Sequence, residues 1–425
     1  MSGLPFTSEE QYKLSVINKA LTHEITNDYA AKLLHLSSRQ IKRLKKAVLL
    51  HGPQAVVHKL KGKTSNHSLP EKQKSFILTL VKEHYRDFKP RFASEKLQEC
   101  HNIAINPQTL RRWMTQAGLW KVRRRKKISY RSWRPRKEYF GELQQFDGSY
   151  HHWFEERYAD ATGNSLEVCL LAAIDDATGQ ITHAQFAPSE GVIPVFTFWK
   201  YYVLHHGKPG GIYLDNYSTY KVPVKYTLEK QHLESQFQRA MKTLSIKLIS
   251  AHSPQAKGRI ERLFRTLQDR LVKELRLNHI NAPKEANIFL KTVFIPKFNK
   301  HFAVLPAKEG DVHRLLTKTE KANLKSIFSI HTIRKVQNDF TLLCNHTWYQ
   351  LTKLQGTTIR PRDAVIVEQW MDGTMHLRYK ETYLTYIFLP KRPQKVQNPV
   401  AVTKNKLPWK PPLTHPWKQR YKTKS

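Results

Sequence analysis

Apolar residues recur at three-to-four spacing from Ser8 to about residue 120 and then change to strand-like runs. Tyr12, Leu14, Val16, Ile17 and Ala20 stripe a helix from Ser8 to Ala20, and Thr26 can cap a second, Asn27 to Leu34. In LSSRQIKRLKKAVLLHG, Ser37 suits an N-cap and Ile41, Leu44 and Val48 face inward. Arg39, Gln40, Lys42, Arg43, Lys45 and Lys46 then face out. Two short helices and a turn, the second helix basic, describe a helix-turn-helix. An ordinary helical hairpin with a solvated basic face has the same pattern. A second such unit follows: a helix over residues 71–87, another in FASEKLQEC, and a third in INPQTLRRWMTQAGLW. There Asn106 is the N-cap, Pro107 the first helical residue and Gly118 the terminator. Leu110, Trp113, Met114 and Ala117 face inward, and Arg111 and Arg112 point elsewhere.

From residue 141 the periods alternate. GELQQFDGSYHHWF holds a short strand ending near Asp147; SLEVCLLAAIDD, QITHAQFAP, GIYLDN and SIKLIS read as further strands, with PVFTFWKYYVLHH a helix between the third and fourth. Asp175 and Asp176 precede ATG and read as turn formers. The last strand runs into SAHSPQAKGRIERLFRTLQDRL, where Ser253 suits an N-cap, Pro254 the first turn, and Ile260, Leu263, Phe264, Leu267 and Leu271 a buried stripe. Residues 327–390 alternate again, and WMDGTM is a hairpin signal. The expected organisation is a helix-turn-helix domain (1–64), a second helix-turn-helix-like domain (65–120), a basic linker (121–140), a mixed five-stranded α/β core (141–310), a small all-β barrel (325–390) and a disordered basic Pro-rich tail (391–425).

Charge narrows the partners. Lys plus Arg number 72 against 34 Asp plus Glu, a net +38, which calls for a polyanion, most simply nucleic acid. Residues 121–137 alone hold ten Lys or Arg and no acid, including Arg123, Arg124 and Arg125, with Tyr130 and Trp133 among them. The three cysteines, Cys100, Cys169 and Cys344, lack C-x-x-C spacing. That excludes a disulfide framework and fits a reducing compartment. There is no signal-peptide pattern at the N-terminus and no apolar run of spanning length. A soluble intracellular protein with no membrane partner is expected, cytoplasmic and nucleoid-associated.

Three acids fall where chemistry is expected. Asp147 closes the first strand, Asp215 a later one, and Glu261 lies in the first turns of the next helix. Alone, each has a plainer role: a turn former in FDGS, an Asx turn in LDNYS, a partner for Arg265 one turn on. Together, three converging carboxylates would repel one another without cations. Hard divalent ions, Mg²⁺ or Mn²⁺, prefer such oxygen ligands, and a pair of them can serve phosphoryl transfer.

The segments QQFDGSYHHWFEER, CLLAAIDDATGQITHAQF, LDN and above all HSPQAKGRIERLFRTLQDRLVKELRL resemble the retroviral-integrase-like DDE transposases. Within them, the chain is most similar to the ISNCY group of bacterial insertion-sequence transposases. The resemblance implies an RNase H-like core with Asp147, Asp215 and Glu261 as the catalytic and metal-holding acids, and about two divalent ions per site. It implies binding of terminal inverted repeats, cleavage at element ends and joining of the 3′-OH to target DNA. The partners would be double-stranded DNA, both element ends and target, and further copies of the chain as a dimer or larger assembly. Arg39, Gln40, Lys42, Arg43, Arg111, Arg112, Arg123, Arg124 and Arg125 become candidate DNA contacts, as do Lys257, Arg259, Arg262 and Arg265. The 45 residues between Asp215 and Glu261 exceed the family's usual spacing. An RNase H-like nuclease without strand transfer, or a non-catalytic DNA-binding regulator, fits the same residues.

Overall fold

Thr7, Thr26 and Ser37 each accept a hydrogen bond from the backbone N–H three residues on. They thereby start helices α1 (Ser8–Leu21), α2 (Asn27–Leu34) and α3 (Ser38–His51). The computed structural model describes residues 6–58, 61, 69–121, 134–215, 235–250, 257–391 and 410–416. These fall in two units, Met1–Arg125 and Lys126–Ser425.

In the first unit, Val16, Ile17, Ala20, Ala30, Ala31, Ile41 and Val48 form one core among α1, α2 and α3. Arg39, Gln40, Lys42 and Arg43 are exposed as expected. Lys45 is not. Its half-buried ammonium donates to Ala20 O at 2.7 Å and to Asn27 Oδ1 at 3.2 Å. The carbonyls at the end of α1 lack helical partners, and a cation satisfies them. Three more helices follow: α4 (Glu71–His84), α5 (Pro90–His101) and α6 (Pro107–Gln116). Asn106 caps α6 by accepting from Gln108 N at 2.8 Å, and Leu110, Trp113 and Met114 are buried. Ala117 departs from its expected inward position and is exposed. The helix stops at Gln116, and Gly118, at φ +71°, turns the chain away before the stripe can continue.

The second unit is built on a five-stranded mixed sheet of order β3-β2-β1-β4-β5. Its strands are β1 (Leu143–His151), β2 (Val168–Asp175), β3 (Ile181–Ala187), β4 (Gly211–Leu214) and β5 (Lys247–Ser250). β1, β2 and β3 are antiparallel neighbours; β1–β4 and β4–β5 are parallel. Every residue of β2 is buried, because both faces of the sheet are covered. Cys169, Leu171 and Ala173 pack with α7 (Val192–His205) and α8 (Gln236–Thr243). Leu170, Ala172 and Ile174 pack against α9 (Gly258–Leu277), α10 (Pro283–Phe289) and α11 (Ile295–Phe302) on the other face.

Two expectations shift here. β1 runs four residues beyond Asp147, so this acid stands mid-strand and not at a strand end. Gly148 and Ser149 read as a turn, yet they keep pairing with Leu171 and Leu170, since β2 is long enough to hold them. Helix α9 begins at Gly258, with Lys257 in the cap position and no side-chain cap among the described residues. Ser253 and Pro254, its expected start, lie outside the described residues.

After two short helices, α12 (Lys318–Ala322) and α13 (Leu324–Ile327), come seven strands. They are β6 (Ile330–Lys335), β7 (Thr341–Cys344), β8 (Thr347–Leu351), β9 (Ala364–Gln369), β10 (Met375–Tyr379), β11 (Thr382–Leu384) and β12 (Tyr386–Leu389). The expected closed barrel is instead two sheets, β11-β10-β9-β6 and β12-β8-β7, around one small core. Closure needs every edge strand paired. Here the chain leaves the first sheet after Leu384 and β12 pairs with β8, so each sheet keeps two edges among the described residues.

This β region is joined closely to the core. Leu316, Leu324, Ile327 and Phe328 belong to the cluster under α7 and α8. Arg239 of α8 donates to Ile327 O at 3.0 Å and Ser329 O at 2.6 Å. Gln236 exchanges two hydrogen bonds with the backbone of His331, both 2.9 Å. Among the described residues, no helix is long and apolar enough to cross a membrane.

Candidate active site

Alternation along β1 sends Phe146 to the α7 face and Gln145, Asp147 and Ser149 to the α9 face. The parallel register of β1 with β4 pairs Leu143 with Gly211 and Gln145 with Tyr213. Extended by two residues, it sets Asp147 level with Asp215, the residue after β4. The electrostatics agree. Burial raises the Asp147 carboxyl from its ordinary value; Lys257 partly offsets that rise, and the nearby charge of Asp215 adds to it.

Lys257 places a cation against Asp147. Its ammonium, almost fully buried, lies 2.9 Å from Asp147 Oδ2. The carboxylate oxygens of Asp147 and Asp215 suit a hard divalent ion, and the position beside Asp147 already holds a positive charge. The donor chemistry therefore fits. Among the described residues, however, no three His, Cys, Asp or Glu side chains stand together as a metal-holding group. Glu261 is exposed on the first turn of α9. Its helix is nonetheless tied to the same face of β1: Ile260 N donates to Gln145 Oε1 at 3.2 Å, and Gln268 Nε2 reaches Ser149 Oγ at 3.3 Å. The structure thus brings Asp147 and Asp215 near one another and anchors the neighbour of Glu261 two residues from Asp147.

The expected stripe of α9 is buried in full: Ile260, Leu263, Phe264, Leu267 and Leu271. Of its basic residues, Arg262 and Arg265 are exposed. Lys257 and Arg259 are engaged inside the protein, Lys257 with Asp147 and Arg259 with Asp176 at 2.7 Å. Among the described residues, no atom beyond its chain neighbours and its own helix backbone stands within 4 Å of where a Cβ on Gly258 would be. Arg111 and Arg112 are exposed in the first unit; Arg123, Arg124 and Arg125 lie outside the described residues.

Two buried glutamines were not anticipated. Gln144 donates to Asp175 at 2.9 Å and Gln145 to Asp176 at 2.7 Å. The signal was present in the sequence: two adjacent amides inside an apolar strand must serve opposite faces, and each needs a buried partner.

No family model matches the chain. A protein of Sinorhizobium fredii (strain NBRC 101917 / NGR234), "Putative transposase y4bF", is 34% identical over 406 residues, spanning 96% of this chain and 86% of its own. The chain belongs to the transposases of insertion sequences. "Transposase for insertion sequence IS1202" of Streptococcus pneumoniae is 28% identical to this transposase over 454 residues, covering 96% of the chain and 93% of that protein. Among solved structures, a simian T-cell lymphotropic virus intasome in complex with a PP2A regulatory subunit covers 70% of this chain and 99% of the other at 14% identity and a TM-score of 0.31. The HTLV-2 integrase catalytic core with magnesium, in its trimeric form, covers 36% and 88% at 18% identity and a TM-score of 0.25. The assignment of the transposase rests on its sequence relatives.

Proposed function

We propose that the transposase cleaves DNA at element ends and joins the resulting 3′-OH to target DNA, using Asp147, Asp215 and Glu261 on an RNase H-like core. The observation that carries this reading is the proximity of Asp147 to Asp215, just beyond the parallel pairing of β1 with β4, beside the helix that bears Glu261. These three acids would hold Mg²⁺ or Mn²⁺, about two ions per site, which when bound polarise a phosphate and lower the pKa of a bound hydroxyl or water. The chain's own residues do the rest. Exposed Arg262 and Arg265 neutralise a phosphate backbone approaching the start of α9. Lys257 offsets the charge of Asp147 at 2.9 Å, where a bound cation would otherwise do so.

The basic face of α3, with Arg39, Gln40, Lys42 and Arg43, together with Arg111 and Arg112 on α6, reads the terminal inverted repeats. Arg123, Arg124 and Arg125 add sequence-independent phosphate contacts. Two ends must be joined, so the active form is a dimer or larger assembly on DNA, in the cytoplasm and at the nucleoid.

A strand-transfer assay with labelled end DNA and Mg²⁺ tests this. Cleaved and joined products are expected, both lost in Asp147→Asn, Asp215→Asn and Glu261→Gln. Cleavage without joining would leave a nuclease. Full activity in all three variants would remove these acids from the chemistry.

A further inference from the structure

Asp176 looks like half of a turn, but the turn does not use it. Asp175 closes that turn, accepting from Thr178 N at 2.8 Å and Thr178 Oγ1 at 2.9 Å. The carboxylate of Asp176 points elsewhere and is completely buried. Its Oδ1 accepts from Arg259 Nη1 at 2.7 Å, from Gln145 Nε2 at 2.7 Å and from the Arg134 guanidinium. Its Oδ2 accepts from Lys137 N at 2.9 Å. A buried carboxylate with four donors is held in one place.

Two of those donors lead to the first turn of α9. Arg259 is in that turn. Gln145 passes the connection on, since its Oε1 accepts from Ile260 N, one of the amides that a helix start leaves without a helical partner. Both routes converge on the residues just before Glu261. Among the described residues the helix has no side-chain cap at Lys257, and the donors shared by Asp176 and Gln145 tie down its start. The remaining donors belong to residues 134–137, the segment leading into β1.

We propose that Asp176 is a positioning residue, whose buried carboxylate fixes the first turn of α9 and so the placement of Glu261 relative to Asp147. The inference rests on Glu261 being a reacting-site acid, as argued above. Asp176→Asn preserves shape but removes the charge and replaces one acceptor oxygen by an NH2, so either the donors on Oδ1 or Lys137 N lose their acceptor.

The test combines activity with hydrogen exchange. In Asp176→Asn, amide exchange within residues 257–263 should speed up about tenfold or more, the loss expected when a charge-assisted hydrogen bond goes, while exchange in α7 stays as in the wild type. Cleavage kcat should fall about a hundredfold, the cost of a displacement near 1 Å, with KM for end DNA unchanged. Arg259→Met should reproduce both effects more weakly, and the double variant should be no worse than Asp176→Asn alone. Should Asp176→Asn not fold, Arg259→Met carries the test. Unchanged exchange at the start of α9, or a rate loss matched by an equal rise in KM and by faster exchange throughout the unit, overturns the proposal. Glu261→Gln separates the two readings. If it is fully active, the catalytic reading falls; if it is inactive while Asp176→Asn cleaves at the wild-type rate, only the positioning role falls.

Discussion

Lys257→Met removes the ammonium from Asp147 while keeping most of the apolar stem. In the native protein the pair is 2.9 Å apart, with the Lys257 side chain 6% and the Asp147 side chain 25% exposed. A hydrogen bond between charged groups at that burial is worth about 1.5–3 kcal/mol. At roughly 2–4 °C per kcal/mol for a domain of this size, the metal-free variant should melt roughly 3–12 °C lower. Calorimetry or a dye-based melt on the full chain measures it. Asp147→Asn should also destabilise, by stranding Lys257. The double variant should recover most of either loss, since no charge is left without a partner. Added Mg²⁺ or Mn²⁺ should raise the melting temperature of Lys257→Met more than that of the wild type, because the ion no longer competes with an ammonium. Simple additivity in the cycle, within about 0.5 kcal/mol, would refute the view of Lys257 as the resident counter-ion.

Other outcomes follow from the same geometry. Leu267→Ala, buried on α9 against the sheet, should cost about 2–5 kcal/mol in denaturant unfolding. Glu368→Gln should cost about 3 kcal/mol, as it strands Arg378, whose Nε lies 2.6 Å from the buried carboxylate. Burial lowers His183 to about 3 and His331 to about 4, so both are neutral in the fold and protonate more readily when unfolded. Their contribution is complete above pH 6.5 and is lost as pH falls from there toward 3–4, at up to about 1.4 kcal/mol per pH unit for each. Melts between pH 7.5 and 4.5 should show that decline, and His183→Gln should flatten it. Arg43→Ala on α3 should weaken end-DNA binding in a gel-shift titration; unchanged affinity at several salt concentrations would remove α3 from the interface.

Much of the core was legible because its signals are local. The apolar runs of β2 and β3, the buried stripe of α9 and the caps at Thr26, Ser37 and Asn106 depend on neighbours in sequence. What was not legible depends on partners far along the chain. Gly148 and Ser149 extend β1 because β2 lies alongside, 20-odd residues later. Lys45 turned inward because the end of α1 lies beside it. The strand content of residues 330–389 could be read from alternation, but whether the sheets close could not. That is decided by which edge β12 joins after Leu384. At the site, the residue types and their order pointed to Asp147, Asp215 and Glu261. Nothing local marked Lys257 as the counter-ion of Asp147, or Asp176 as anything but a turn.

The bonds from Arg239 and Gln236 to residues 327–331 have a mechanical meaning. A β module on a loose tether would sample many distances from the acids and could only raise local DNA concentration. This one shares a core with α7 and α8 and is pinned at its first strand. The shared core and these hydrogen bonds resist its separation from the sheet that carries Asp147. Its place beside the sheet is therefore set by packing and hydrogen bonds, not by the length of a linker.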